Sequence, residues 1–251
     1  MIDTHAHLMF RDFQRDLSEV LKRAEEAGVT DIINVGCSVK DSKASFEMSK
    51  QHKNLYGTLG IHPYDCAHVN DELMSKFLDQ AKANKKIVAI GECGLDYHRE
   101  HDKEDQKRAF RMQFVLAKEL SLPVIIHSRE APEDTLEIVK EFPNVQSVYH
   151  CYPYDLDYAK ELWDAGVYTS FNGVITYPTA DSSVWVVHNA PLDKIMIETD
   201  CPFLTPQSKR GKRNEPANVK EVLEKIAEVK GLAYEDVDKA IEGTTREFFR
   251  I

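Results

Sequence analysis

Short apolar, β-branched runs recur along the chain, and longer stretches between them carry apolar residues three and four positions apart. The runs predict eight strands: Met1–His5, Asp31–Cys37, Leu55–His62, Ile87–Glu92, Pro123–His127, Val145–His150, Val167–Asn172 and Ile195–Asp200. Leu17, Val20, Leu21, Ala24 and Ala27 form one helical stripe, closed by Gly28. Phe110, Phe114, Ala117 and Leu120 form a second. Asp155 is placed to cap a third helix, which carries Leu156, Ala159 and Leu162 and stops at Gly166. Val219, Val222, Leu223 and Ile226 mark another, and a last helix is predicted from Tyr234 to Phe249. The stretch between Asn172 and Ile195 is less regular and reads as a loop with a short helix around Val184–His188.

Strands that alternate with helices pair in parallel. Several of these strands, such as Ile32–Gly36 and Val124–His127, are apolar on both faces, as parallel strands buried on both sides must be. A doubly wound sheet would also fit, but eight repeats in 251 residues favour an α/β chain folded as a single (β/α)8 TIM-type barrel domain over 1–251. Hydrophobic residues make up 42% of the chain, enough for a core and too many for global disorder. Mean hydropathy is −0.44, and no apolar run approaches the ~20 residues of a membrane helix. The N-terminus has no basic-then-apolar signal segment, so a cytoplasmic location is expected. Net charge is −10, which argues against general coating of nucleic acid and leaves room only for local contacts. The five cysteines are odd in number and form no CxxC, so neither a disulfide framework nor a zinc ribbon is expected.

Polar residues gather where the predicted strands stop. The first strand ends in His5-Ala6-His7, whose two imidazoles share one side of the strand. Glu92, His127, His150 and Asp200 end four further strands. In a barrel these ends line one rim, the face on which active sites form. One histidine or acid at a strand end is commonly a cap or a hydrogen-bonded core residue. Four histidines and two carboxylates together point to divalent metal, Zn²⁺, Mn²⁺ or a related ion. Six ligands exceed what one open catalytic ion needs and suit two ions sharing a carboxylate, about 3.5–4 Å apart. Cys93, Cys151 and Cys201 each follow a candidate ligand, so their thiols should face away from it as packing residues.

The same residues lie within a set of motifs: IDTHAHL at 2–8, GIHP at 60–63, GECGLDYH at 91–98, IHSR at 126–129, HCY at 150–152, ETDCPFLTP at 198–206 and RNEP at 213–216. Together they resemble the TatD-type metal-dependent deoxyribonucleases of the amidohydrolase superfamily, and the resemblance spans essentially the whole chain. It implies a barrel of this class and hydrolysis of DNA phosphodiesters with two divalent ions (Zn, Mn or Mg), as a 3′→5′ exonuclease on single-stranded DNA. By motif, His5 and His7 would hold one ion, His127 and His150 the other, and Glu92 would bridge them. Asp200 would bind the first ion and take the proton from the attacking water. The chain departs from the family after His150, with Cys151-Tyr152-Pro153-Tyr154 where Cys-Phe-Ser/Thr-Gly is usual, and after Arg129, with Glu130-Ala131 for Asp-Ala. Both departures bear on substrate preference.

Arg129 could hold a phosphate oxygen, or pair with Glu130 or Glu133. His62 ends the third predicted strand on the same rim and could touch a phosphate or a ligand. Glu198 shares the inward face of Asp200 one layer lower and could orient a ligand. The basic run Lys209-Arg210-Gly211-Lys212-Arg213 follows the last strand and could track a nucleic-acid backbone. Tyr97, Tyr152, Tyr154 and Phe203 fall in rim loops and could stack bases. DNA is thus the expected substrate, with no membrane and no obligate protein partner. Two alternatives stand beside it: hydrolysis of an ester, amide or lactone, such as an aminoacyl-tRNA ester, and a catalytically silent metal-binding scaffold. The intact six ligands argue against the second.

Overall fold

The computed structural model describes residues 1–251. In chain order the first elements are β1 (Ile2–Ala6), α1 (Leu17–Glu26), β2 (Asp31–Asn34), α2 (Val39–Gln51), β3 (Leu55–Leu59), α3 (Asp71–Ala83), β4 (Ile87–Asp96) and α4 (Lys103–Leu120). There follow β5 (Val124–Arg129), α5 (Pro132–Glu141), β6 (Ser147–Tyr149), α6 (Leu156–Asp164), β7 (Tyr168–Phe171), α7 (Asp181–Asn189), β8 (Ile195–Ile197), α8 (Val219–Lys230) and α9 (Tyr234–Phe249). The eight strands lie in one sheet in sequence order. Pairing is parallel, and a parallel bridge from Ala6 to Cys201 joins β1 to the chain just beyond β8. The fold is the (β/α)8 barrel, each crossover carried by a helix. No helix is long and apolar enough to cross a membrane.

The chain divides into two compact units, one of Met1–Asn34, His150–Trp163 and Tyr168–Ile251, the other of Val35–Tyr149 and Asp164–Val167. In the first, the helices follow the apolar stripes. Val20 and Ala24 of α1 are buried, and Gly28 past its end takes φ +89, which a side chain would resist. Asp155 caps α6 by accepting the Tyr158 N–H at 3.0 Å. Val219, Val222, Leu223 and Ile226 of α8 are buried, as are Val237, Ile241, Phe248 and Phe249 of α9. The helix expected at Val184–His188 is longer, Asp181–Asn189.

In the second unit, Phe110, Phe114 and Ala117 of α4 are buried, and Asn70 caps α3 by accepting the Leu73 N–H. The helix α2 obeys a different rule. Its buried positions are Ser42, Ser45 and Ser49, small polar residues with no apolar stripe. The Ser42 hydroxyl donates to Gly60 O at 2.8 Å, and Ser45 Oγ accepts the Thr58 N–H at 3.1 Å. A Cβ on Gly57 would come within 2.8 Å of Ser45 Oγ, so the helix lies close against β3 because both partners are small.

Several strand ends differ from expectation. β2 and β3 stop at Asn34 and Leu59; the chain then turns, and Pro63 opens a helical turn over Pro63–His68. β4 runs four residues beyond Glu92, to Asp96, in register with Arg129. β8 stops at Ile197; beyond it the Glu198 N–H still reaches Phe171 O at 3.0 Å, and the Asp200 N–H reaches His5 O at 2.8 Å.

Candidate metal centre

In the first unit, β1 and the segment after β8 bring three ligand atoms together. His5 Nε2 and His7 Nε2 lie 3.2 Å apart. Asp200 Oδ1 is 3.3 Å from His7 Nε2 and 3.8 Å from His5 Nε2. The ring of His150 stacks on His5 with centroids 4.1 Å apart. Glu198 lies beside it, fully buried, with Oε1 3.4 Å from His150 Nδ1. That oxygen accepts the Cys151 N–H at 2.8 Å and the Asn172 amide at 3.4 Å. Burial pushes the Glu198 carboxyl upward, but His150 and His5 outweigh it and hold it below the usual range.

Asp200 and Cys151 have left-handed backbone, φ +54 and +45, uncommon for residues with side chains and typical of held functional turns. A buried acid secures the first of these turns. Asp3 accepts the Thr199 N–H at 2.9 Å and the Thr199 hydroxyl at 2.6 Å. Burial pushes the Asp3 carboxyl up to about 8 against the pull of the Thr199 bonds. Asn214 of the RNEP motif donates to Thr199 O and Phe203 O, at 2.9 and 2.7 Å. In the atypical loop, the Tyr152 N–H reaches Ser170 O at 3.0 Å and its hydroxyl Asp155 O at 2.7 Å. The loop is thereby anchored while His150 remains stacked on His5.

In the second unit, β4 and β5 set the ligands. His127 Nδ1 lies 2.9 Å from Glu92 Oε1, and His127 Nε2 lies 3.1 Å from Asp96 Oδ2. His62 Nε2 is 3.8 Å from Glu92 Oε1, and the His62 and His127 rings meet edge to face at 4.4 Å. His62 is a turn cap, its Nδ1 accepting the Tyr64 N–H at 3.2 Å. Burial raises Asp96, but hydrogen bonds from His127 and Tyr64 hold it well below the usual carboxylate range. The two glycines of GECG let the strands approach. A Cβ at Gly94, φ +149, would lie 1.9 Å from His127 O; one at Gly91, φ +133, would lie 2.5 Å from Ile125 O.

The remaining candidates divide. Arg129 is exposed at the end of β5, and Glu130 pairs with His98 at 2.7 Å. Lys209 bonds to Asn218 at 2.6 Å and pairs with Glu221 at 3.3 Å. Arg213 is held by Asp16 and Glu215 at 2.6 and 2.7 Å. These partners make Lys209 and Arg213 loop anchors. Tyr97 donates to Asp134, which engages its phenol. Cys93 and Cys201 are fully buried, and burial raises both thiols, consistent with packing; Cys151 is half-buried. Asp3 and Asp96 are the residues the strand-end argument overlooks. Asp3 shares strand parity with His5, and Asp96 with Glu92, so face counting could have found them.

Three groups of ligand atoms lie within 4.8 Å: His5, His7 and Asp200; His5, His150 and Glu198; His62, Glu92 and His127. Imidazole nitrogen with carboxylate oxygen is the donor set of borderline divalent ions. Glu198 Oε2 adds an independent sign, since this buried oxygen has no hydrogen-bond partner in the protein. A buried carboxylate oxygen facing imidazole nitrogens is a setting that suits a bound cation. The residues therefore fit divalent metal.

Comparison with known proteins agrees. The description of TatD-related DNases matches residues 2–250. The chain is 40% identical to the metal-dependent hydrolase YabD of Bacillus subtilis, covering 100% of this chain and 99% of YabD. It is 32% identical to the 3′-5′ ssDNA/RNA exonuclease TatD of Erwinia tasmaniensis, covering 92% of each. The crystal structure of YjjV, a TatD homologue from Escherichia coli K12, matches with a TM-score of 0.94 at 28% identity, over 100% of this chain and 98% of YjjV. Sequence, fold and ligand chemistry agree from one end of the chain to the other, and it belongs to the TatD-related DNase family of metal-dependent hydrolases.

Proposed function

We propose that the chain hydrolyses phosphodiester bonds of single-stranded DNA from the 3′ end, with two divalent ions, one served by each unit's ligand cluster. The observation that carries this reading is the pair of histidine–carboxylate clusters, His5, His7 and Asp200 in one unit and His62, Glu92 and His127 in the other. The name of the Erwinia relative supports the choice of substrate. Bound divalent ions supply Lewis acidity, which eases deprotonation of water and offsets charge on a phosphate. The chain's own residues do the rest. Asp200, 13% exposed, keeps a carboxylate at the edge of its cluster, where it can accept a proton. Glu198 fixes His150, and Asp96 fixes His127, as outer partners fix ligand rings. Arg129 offers a guanidinium fork to a phosphate oxygen.

The test is an end-labelled single-stranded DNA assay after chelation, with Mg²⁺, Mn²⁺ or Zn²⁺ restored, beside a protein carrying both His127→Ala and Asp200→Ala. A metal-dependent ladder shortening from the 3′ end, absent in the variant, is expected. No cleavage above the variant with any ion would overturn the reading.

A further inference from the structure

The basic run after β8 separates into two kinds of cation. Lys209 and Arg213 are tied to acids, whereas Arg210 and Lys212 are exposed. Arg210 lies over the Tyr177 ring, 4.5 Å from its centroid, and the Tyr177 hydroxyl is fixed to Thr205 O at 2.8 Å. Arg210, Lys212, Tyr177 and Phe203 line one groove of about 600 Å³, in which Asp12 is the only acidic side chain. Phe203 is 51% exposed, so its ring is open to a ligand. Its centroid lies 6.5 Å from His7 and 6.1 Å from Phe10, so the groove opens beside a candidate metal ligand.

We infer that this groove is a nucleotide subsite. One base of a single strand stacks on Phe203, and the adjoining phosphate is held by Arg210 and Lys212. An exposed aromatic ring beside two unneutralised cations is the pairing that single-strand binding uses: the ring takes any base, and the cations follow the backbone. The overall charge of −10 makes this local patch the more selective. The anchored Lys209 and Arg213 fix both ends of the loop, so Arg210 and Lys212 are presented from a braced segment. The inference rests on the phosphodiester reading above and adds where the strand is gripped.

The test uses the metal-loaded full chain and a fluorescent phosphorothioate dT12, which keeps its backbone charge and resists cleavage. Anisotropy gives affinity across a salt series. Phe203→Ala is expected to weaken binding about tenfold without changing the salt slope. Arg210→Ala with Lys212→Ala is expected to lower the slope of log K against log salt by about 0.7, one neutralised phosphate on a single strand. Lys118→Ala, an exposed lysine of α4, should change neither. Wild-type affinity and slope in both groove variants, or no binding by the wild type, would overturn the subsite. Binding with these signatures but no cleavage of ordinary DNA would remove the phosphodiesterase reading and leave the groove standing.

Discussion

Around His5, His7, His150, Glu198 and Asp200, buried side chains do the positioning; around His62, Glu92 and His127, the backbone does most of it. In the first cluster Asp3 grips Thr199, Asn214 grips the next turn, and Asp200 is itself left-handed, three positions beyond β8. In the second, Gly91 and Gly94 bring β4 against β5: His127 pairs with Gly94, and Glu92 sits two residues earlier in β4, where the register shifts. A side-chain clamp can be removed piecemeal, because each bond is one of several. Backbone contact at van der Waals distance has no graded version: a methyl group either fits or it does not.

The largest expected effect follows from that difference. Gly94→Ala places a Cβ against His127 O at a φ that L-residues avoid and should lower stability by about 3–5 kcal/mol, read from urea unfolding. An unchanged midpoint would mean that β4 moves freely against β5. Next, Asp3→Ala should lower stability by about 2–3 kcal/mol, because the Thr199 N–H and hydroxyl are left buried without their acceptor. Thr199→Val added to it should cost less than the sum of the two; strict additivity would break the clamp argument. Asp96→Asn is expected to act on ion affinity more than on folding, weakening Mn²⁺ binding by about 10–100-fold in a chelator-competed titration. Equal affinity would leave His127 oriented by Glu92 alone. Gly166→Ala is the smallest. Its φ is also positive, +82, but nothing lies within 4 Å, so about 1 kcal/mol of backbone strain is expected. A loss matching that of Gly94→Ala would show that strain, not contact, governs both.

Much of the fold was legible because parallel strands and amphipathic helices leave strong periodic signals. α9 falls where its apolar spacing predicts, Tyr234–Phe249. Helix α2 left no such signal, since its buried face is serine and its packing depends on glycines of another element. The candidate ligands were legible because imidazoles and carboxylates at the ends of apolar runs are conspicuous. Their outer partners were not. Asp3 reads as an ordinary polar residue of a first strand, and Asp96 lies beyond where β4 was expected to stop.

The sequence by itself determined the eight-fold strand–helix alternation and the identity of the ligand-type residues, since both depend on local spacing and side-chain chemistry. Only the tertiary structure decided which loop cations are anchored, which acids support which histidines, and how near two strands may come. Those depend on atoms far apart in the chain meeting within a few ångströms, and no local pattern encodes that distance.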